Sequence, residues 1–311
     1  MVVLMLISAL VFSLIMGKVS QRLINNLEKL SRIFGIGHYA SIVVLIAAAT
    51  TLPELTVGVT SALRGMPLLG LGSALGSNIV NLSLILGLAA IFGNGLHFNK
   101  PKQVKEDLAI LGLAFLPYFW LLDGKINRVE GVISIIVYGL YVRFILKQDR
   151  VAGKIFERDV PNFSFKLLIE TLGLMAVIIV SAMGIIRLAA DISSGMAIPI
   201  MFIGLFVISV GTAIPEIIFH IKSAKEHQVS LSLGNIIGAC ATNSTLVIGV
   251  SALISPIVIE STYMGLLPGL EFLFISLLAV NFIMSKHRLD RLEGAVMVGV
   301  FIYYSVLQLI L

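Results

Sequence analysis

The stretch Thr50-Thr51-Leu52-Pro53-Glu54 returns 162 residues later as Thr212-Ala213-Ile214-Pro215-Glu216. The same offset places Ser61-Ala62 on Ser223-Ala224. It also places Leu71-Gly72, Gly76, Asn81, Leu84, Gly87 and Ala90 on Leu233-Gly234, Gly238, Asn243, Leu246, Gly249 and Ala252. Further on, Arg128-Val129-Glu130-Gly131 matches Arg291-Leu292-Glu293-Gly294 at an offset of 163. Scattered Leu and Ala matches arise by chance in an apolar chain. A repeated Thr-x-x-Pro-Glu does not, because Pro and Glu are scarce inside apolar segments. The chain therefore reads as an internal repeat.

The rest of the sequence says where the repeat sits. Of 311 residues, 58% are hydrophobic and 13% charged, and the mean hydropathy is +1.03. Soluble domains carry about 25% charge, so this composition excludes a disordered chain, a secreted disulfide scaffold and an ordinary soluble enzyme. One cysteine, Cys240, excludes an intrachain disulfide and a Cys-based cluster. A helix needs about 20 apolar residues to cross a bilayer. Ten candidates are present: 2–17 (with an amphipathic extension over 21–34), 39–63, 68–92, 107–122, 130–147, 165–187, 198–221, 230–254, 263–285 and 292–311. The first lacks a basic leading region, so it reads as a span rather than a signal peptide.

Ten spans put both termini on one side. Loops on that side hold Arg64, Lys125, Arg128 and Arg187, four of the 22 Lys and Arg residues; the other eighteen fall on the opposite side. The positive-inside rule then places both termini outside. The net charge of +5 is absorbed by this asymmetry, and no soluble segment is long enough for a nucleic-acid domain. The chain divides into a five-helix repeat over 1–148, a cytoplasmic linker over 149–162 and a second five-helix repeat over 163–311. Five is odd, so the second repeat enters the membrane from the opposite face. The expected fold is an all-α, multi-pass protein of the cell membrane, with ten transmembrane helices as two inverted five-helix repeats. Transporters built this way hold substrate near the midplane, where the repeats meet.

Glu54 and Glu216 lie deep in spans 2 and 7. A carboxylate at the bilayer centre costs roughly 2.5–3.5 kcal/mol on insertion scales, so two at equivalent places point to a shared partner. Pro53 and Pro215 remove a backbone donor and crowd the preceding turn. The carbonyls of Ala49 and Thr50, and of Gly211 and Thr212, are therefore expected to be exposed to a polar cavity. Thr50 and Glu54, like Ser77 and Asn81, are four residues apart and share a helix face. Asn243 matches Asn81, and Thr242, Ser244 and Thr245 add hydroxyls beside it. Gly72 and Gly76 read as a small face for close helix packing. An all-oxygen set suits hard cations such as Ca²⁺ and Na⁺, and a charge of −2 matches one Ca²⁺ or two Na⁺. No His-Glu-x-x-His, Walker A or G-x-S-x-G sequence is present, so an enzyme is not expected, nor any cofactor or obligatory protein partner. His220 reads as a histidine near the cytoplasmic end of span 7 reaching for polar groups, and Glu271 as interfacial.

These motifs, with Gly76-Ser77-Asn78-Ile79-Val80-Asn81 and Gly234-Asn235-Ile236-Ile237-Gly238, resemble the two alpha-repeats of the sodium/calcium exchanger family, prokaryotic type. The alpha motifs span about 47–92 and 209–254, and Leu122–Arg128 resembles that family's turn between spans 4 and 5. The resemblance implies antiport of Na⁺ against Ca²⁺ by alternating access. It implies Ca²⁺ binding by Glu54 and Glu216 with the carbonyls of Thr50 and Thr212. It implies Na⁺ sites that draw on Ala47, Thr50, Thr51, Glu54, Ser77, Ser209, Thr212 and Glu216, with Asn81 and Asn243 at the centre. The alternatives are H⁺- or K⁺-coupled Ca²⁺ exchange or, in a different class, a cation channel. The sequence departs from the family pattern at Ser73 for Asn, Ala213 and Ala239 for Ser, Cys240 for Asn and Asn243 for Asp. Methyl groups cannot coordinate Na⁺, so the second-repeat sodium site is expected to be weakened, occupied differently, or replaced by protonation of a glutamate.

Overall fold

The computed structural model describes residues 2–33, 51–98, 101–152, 164–196, 198–226, 229–259 and 262–310. Helix α1 is Val2–Ile33 and α2 is Leu52–Leu63. Helix α3 runs Pro67–Phe92 through a π-helical turn at Asn81–Ile85. Helix α4 covers 101–123, with 3-10 turns at Leu111–Phe115 and Leu121–Asp123. Helices α5 and α6 are Arg128–Ala152 and Phe165–Met196. Helix α7 covers 200–225, with a π-helical segment at Ile203–Ile208. Helix α8 covers 229–254, with another at Asn243–Val247. Helices α9 and α10 are Thr262–Lys286 and Arg291–Ile310. The first expected span and its amphipathic extension form one helix, and the fourth starts six residues before its expected 107. Residues 39–50 of the second expected span lie outside the described residues.

Among the described residues, four helices are long and apolar enough to cross a membrane: Pro67–Phe92, Phe165–Gly195, Ser232–Ile254 and Leu267–Lys286. A fifth, over 200–225, qualifies as a pair bent by 47° at Pro215, the kink expected where proline removes a donor and crowds the previous turn. The apolar windows of α3 and α8 are 78% and 83% buried, against 33% for those of α6 and α9. So α3 and α8 form the centre, while α6 and α9 turn apolar side chains such as Leu172, Val180, Leu273 and Leu277 outward, as a lipid-facing layer does. The main core joins α3, α4, α8, α9 and α10 around Leu75, Ile79, Leu111, Ile237 and Phe272. A second cluster packs α1 against α6 through Met16, Leu23, Ile178 and Ile185.

Local features recur at the sequence offset. The π-helical turns at Asn81–Ile85 and Asn243–Val247 begin 162 residues apart. Within them Ser83 Oγ donates to the Ile79 carbonyl at 2.5 Å and Thr245 Oγ1 to the Ala241 carbonyl at 2.6 Å. A hydroxyl bonding four residues back disturbs the helical ladder. Two short strand pairs also correspond. Leu96–His97 (β1) pairs antiparallel with Arg288–Leu289 (β4), and Lys125–Ile126 (β2) with Ile257–Val258 (β3). At the start of α5 the Asn127 amide donates to Glu130 at 2.7 Å, and at the start of α10 the Asp290 amide donates to Glu293 at 2.8 Å. These are the reach-back halves of capping boxes. Gly87 packs on the Gly294 backbone and Gly131 on that of Gly249, where an added Cβ would lie 2.7 and 2.8 Å from a carbonyl oxygen.

Candidate functional site

Glu54 sits in the first turn of α2, where Pro53 is tolerated because first-turn amides have no intrahelical partner. The carbonyls of Ala49 and Thr50, expected to be freed by this proline, lie outside the described residues, as does Ala47. Thr51 is buried at the N-cap position, and its carbonyl accepts the Leu55 amide at 2.8 Å. The Glu54 side chain is 4% exposed. Its Oε1 accepts a hydrogen bond from Ser77 Oγ of α3 at 2.9 Å and another from Thr212 Oγ1 of α7 at 3.0 Å. Donors from the two halves of the chain thus converge on one oxygen. Glu54 Oε2 is buried without a hydrogen-bond partner among the described residues. A buried polar atom left unpaired costs about 1–3 kcal/mol, more when charged, so this oxygen calls for a positive partner. Glu216 is half-buried in α7, one residue past the bend.

The helices approach closely enough for this because small residues line the crossing. A Cβ on Gly76 would lie 2.8 Å from Ser209 Oγ and 2.7 Å from Leu205 Cα, and Gly72 abuts the Met201 backbone. On the other helix, Gly204 abuts the Ser73 amide. The small face expected from Gly72 and Gly76 therefore packs α3 on α7. Ser209 is buried against this seam and donates to the Leu205 carbonyl.

At the centre, two polar contacts tie α3 to α8. Asn243 Nδ2 donates to Asn78 Oδ1 at 3.2 Å, and the Cys240 thiol donates to the Asn78 backbone carbonyl at 3.9 Å. Asn78 and Cys240 are 162 residues apart, as are Asn81 and Asn243, so these contacts bring matching segments of the two halves together. Asn78 Nδ2 donates in addition to Ser244 Oγ at 2.7 Å, and Ser244 Oγ donates to the Ala114 carbonyl at 3.0 Å. Asn78 is the residue that the sequence reading quoted but gave no role. Asn243 Oδ1 remains without a hydrogen-bond partner among the described residues.

Other expectations change. Thr242 and Thr245 donate to their own helix, at Gly238 and Ala241, and Ser244 serves the Asn78 network, so these hydroxyls are engaged in packing. Ala213 and Ala239 are buried methyls. His220 is buried, with Nδ1 2.7 Å from Ser232 Oγ and Nε2 3.5 Å from Asn235 Nδ2. Among the described residues no group of three or more His, Cys, Asp or Glu side chains is placed to hold a metal ion. A cation beside Glu54 would rest on a carboxylate among neutral oxygens, which suits a hard ion.

The profile of the sodium/calcium exchanger protein family matches residues 4–147 and 166–310. The chain belongs to that family. Its members are membrane transporters rather than enzymes. Inner membrane protein YrbG of Escherichia coli K12 is 29% identical to the chain over 256 residues, which is 76% of each. The sodium/calcium exchanger MaX1 of Methanosarcina acetivorans is 23% identical, with 97% of each chain covered. The solved sodium-calcium exchanger NCX_Mj, soaked with Na⁺ and Sr²⁺, superposes with a TM-score of 0.66 at 23% identity, covering 97% of this chain and 98% of that one. This likeness establishes the all-α exchanger fold.

Proposed function

We propose that this exchanger moves Ca²⁺ against Na⁺ across the cell membrane, with both ions competing for one site between Glu54 and Glu216. Family membership supports the ion pair. The observation that carries the site is Glu54: one oxygen fixed by Ser77 and Thr212, the other buried and open to a cation. In this reading Glu216 and the carbonyls of Thr50 and Thr212 complete the Ca²⁺ site. Na⁺ draws on the same glutamates and threonines with Ala47, Thr51, Ser77 and Ser209. Asn81 and Asn243 hold the centre. Two carboxylates balance one Ca²⁺ or two Na⁺, so occupancy by one ion excludes the other, and alternating access converts that competition into exchange.

The architecture we propose is ten transmembrane helices with both termini outside, arranged as inverted repeats over 1–148 and 163–311 around a cytoplasmic linker over 149–162. It draws support from the paired π-helical turns, strand pairs and capping boxes. The lopsided loop charge supports the orientation.

A second reading concerns the coupling ion. The buried methyls of Ala213 and Ala239 deprive the second half of two hydroxyls and favour a proton in place of one Na⁺. Radioactive Ca²⁺ uptake into proteoliposomes under imposed Na⁺, K⁺ or H⁺ gradients separates the readings. Uptake driven by Na⁺ and lost in Glu54→Gln and Glu216→Gln is expected. Uptake that needs no counter-ion gradient would indicate a channel, and wild-type transport in both variants would refute the site.

A further inference from the structure

Helix α7 bends by 47° at Pro215, and Glu216 is the first residue past the bend. A proline breaks the ladder of helical hydrogen bonds, so the two segments can pivot about it. The place of the Glu216 carboxylate therefore depends on what holds the segment 216–225. Among the described residues, the hydrogen bonds that join this segment to α8 both come from His220. Glu216 and His220 are four residues apart and share a helix face. Asn235 Nδ2 can only donate, so the imidazole Nε2, 3.5 Å away, accepts. Nδ1 then carries the proton and donates it to Ser232 Oγ at 2.7 Å. His220 and Ser232 are both buried, so water does not compete for this bond.

The first half holds its glutamate differently. Ser77 donates to Glu54. One turn further along α2, Gly58 lies against Gly70, whose added Cβ would come within 2.8 Å of the Gly58 Cα. At the offset of 162, Glu54 and Ser77 become Glu216 and Ala239, and Gly58 and Gly70 become His220 and Ser232. Residue 220 meets 232 as 58 meets 70, so the two crossings share one register. What differs is the chemistry. The direct donor has become the buried methyl of Ala239, and a glycine contact has become a hydrogen bond. Thr50, the counterpart of the second Glu54 donor Thr212, lies outside the described residues.

We infer that His220 is a positioning residue for Glu216: through Ser232 it pins the segment past the bend to α8. It thereby does for the second glutamate what the Ser77 hydroxyl does for the first. This role presupposes that Glu216 binds the cation, as proposed above. With the tie in place, the carboxylate is presented to the ion in advance. Without it the segment pivots and the ion itself must order the carboxylate, which weakens binding and leaves the later steps of transport alone.

Initial rates of radioactive Ca²⁺ uptake into Na⁺-loaded proteoliposomes test this. Ser232→Ala should raise KM for Ca²⁺ about tenfold, with kcat within about twofold of wild type. His220→Leu, which lacks the polar ring atoms, should do the same. These two variants break the bond from either end, so either one suffices if the other does not fold. His220→Asn carries a polar atom at the δ position, can still bond Ser232, and should stay near the wild-type KM. The decisive variant adds Ala239→Ser to Ser232→Ala. Its new hydroxyl stands where Ser77 stands in the first half, and it should bring KM back to within about threefold of wild type. A hydroxyl seven residues along α8 does not repair KM where the only damage is lost stability. A KM within about twofold of wild type in Ser232→Ala or His220→Leu would overturn the proposal, as would the absence of rescue by Ala239→Ser. Glu216→Gln separates this role from the reading beneath it. Wild-type uptake in Glu216→Gln would remove Glu216 as a ligand and this role with it. Lost uptake in Glu216→Gln beside a wild-type KM in Ser232→Ala would remove this role alone.

Discussion

Ser77 and Thr212 donate to the same oxygen of Glu54 at nearly the same distance, 2.9 and 3.0 Å, yet their removal should not cost the same. Ser77 Oγ has Glu54 as its only side-chain hydrogen-bond acceptor among the described contacts. Thr212 Oγ1 is also 3.1 Å from the carbonyls of Ile208 and Ser209. A hydroxyl has one proton, so Thr212 divides its donation among three acceptors and Ser77 does not. A hydrogen bond to a charged group is worth about 1.5–3 kcal/mol. Ser77→Ala should therefore weaken the cation site by about 2 kcal/mol, or about 30-fold in KM for Ca²⁺. Thr212→Val keeps the shape and loses a shared donor, for about 1 kcal/mol, or about fivefold. The physical effect is preorganisation: with Oε1 fixed, Oε2 is presented to the ion, and without the donors the ion itself must order the carboxylate. Initial rates of radioactive Ca²⁺ uptake into Na⁺-loaded proteoliposomes, measured against external Ca²⁺, read the two constants. A Thr212→Val penalty equal to or larger than that of Ser77→Ala would refute the reasoning, as would both values within twofold of wild type.

Asn78→Ala removes an acceptor for Asn243 and a donor to Ser244, both buried. It should lower stability by about 2–4 kcal/mol through the partners left unpaired, read as a drop in the melting temperature of the detergent-solubilised protein. Gly76→Val drives a side chain into the Leu205 backbone and Ser209. It should yield little folded protein on size-exclusion chromatography, whereas Gly139→Ala, whose Cβ meets nothing within 4 Å, should gain about 0.5–1 kcal/mol. Ala213→Ser combined with Ala239→Ser restores two hydroxyls in the second half. Na⁺-driven uptake should show a higher apparent Na⁺ affinity and a steeper Hill slope, and an unchanged slope would argue that these positions do not touch Na⁺.

The repeat search reaches what the two halves share. It finds Glu54 with Glu216 and Asn81 with Asn243, because each pair keeps its residue type at the offset. It misses Asn78 for the complementary reason. The counterpart is Cys240, a mismatch in the alignment, although the two residues meet across α3 and α8, where the thiol donates to the Asn78 carbonyl. It also overcounts hydroxyls. Thr242 and Thr245 sit beside Asn243 in sequence, but a helical threonine can turn its hydroxyl to the carbonyl four residues back, and both do so. Composition is the same in either orientation, so only the folded structure separates a site oxygen from a helix-bending one. The Ala213 and Ala239 departures are legible because a methyl group offers no oxygen in any orientation.

The same mismatches make the two helix crossings unequal. In the first half, Gly58 and Gly70 let α2 and α3 touch backbone to backbone: a Cβ on Gly70 would lie 2.8 Å from Gly58 Cα. At the offset of 162 stand His220 and Ser232. There α7 and α8 meet through side chains, with the imidazole held by Ser232 and next to Asn235. Two glycines separate at the cost of dispersion contacts alone, each worth about 0.1–0.2 kcal/mol per atom pair. A buried imidazole bonded to a hydroxyl separates only by exposing or leaving unpaired its polar atoms, at about 1–3 kcal/mol each. In the inverted architecture we propose, these crossings would lie toward opposite faces of the membrane. An exchanger built this way would not open equally to its two sides, and the larger local penalty would fall at the His220 crossing, toward the face that carries Lys222 and Lys225.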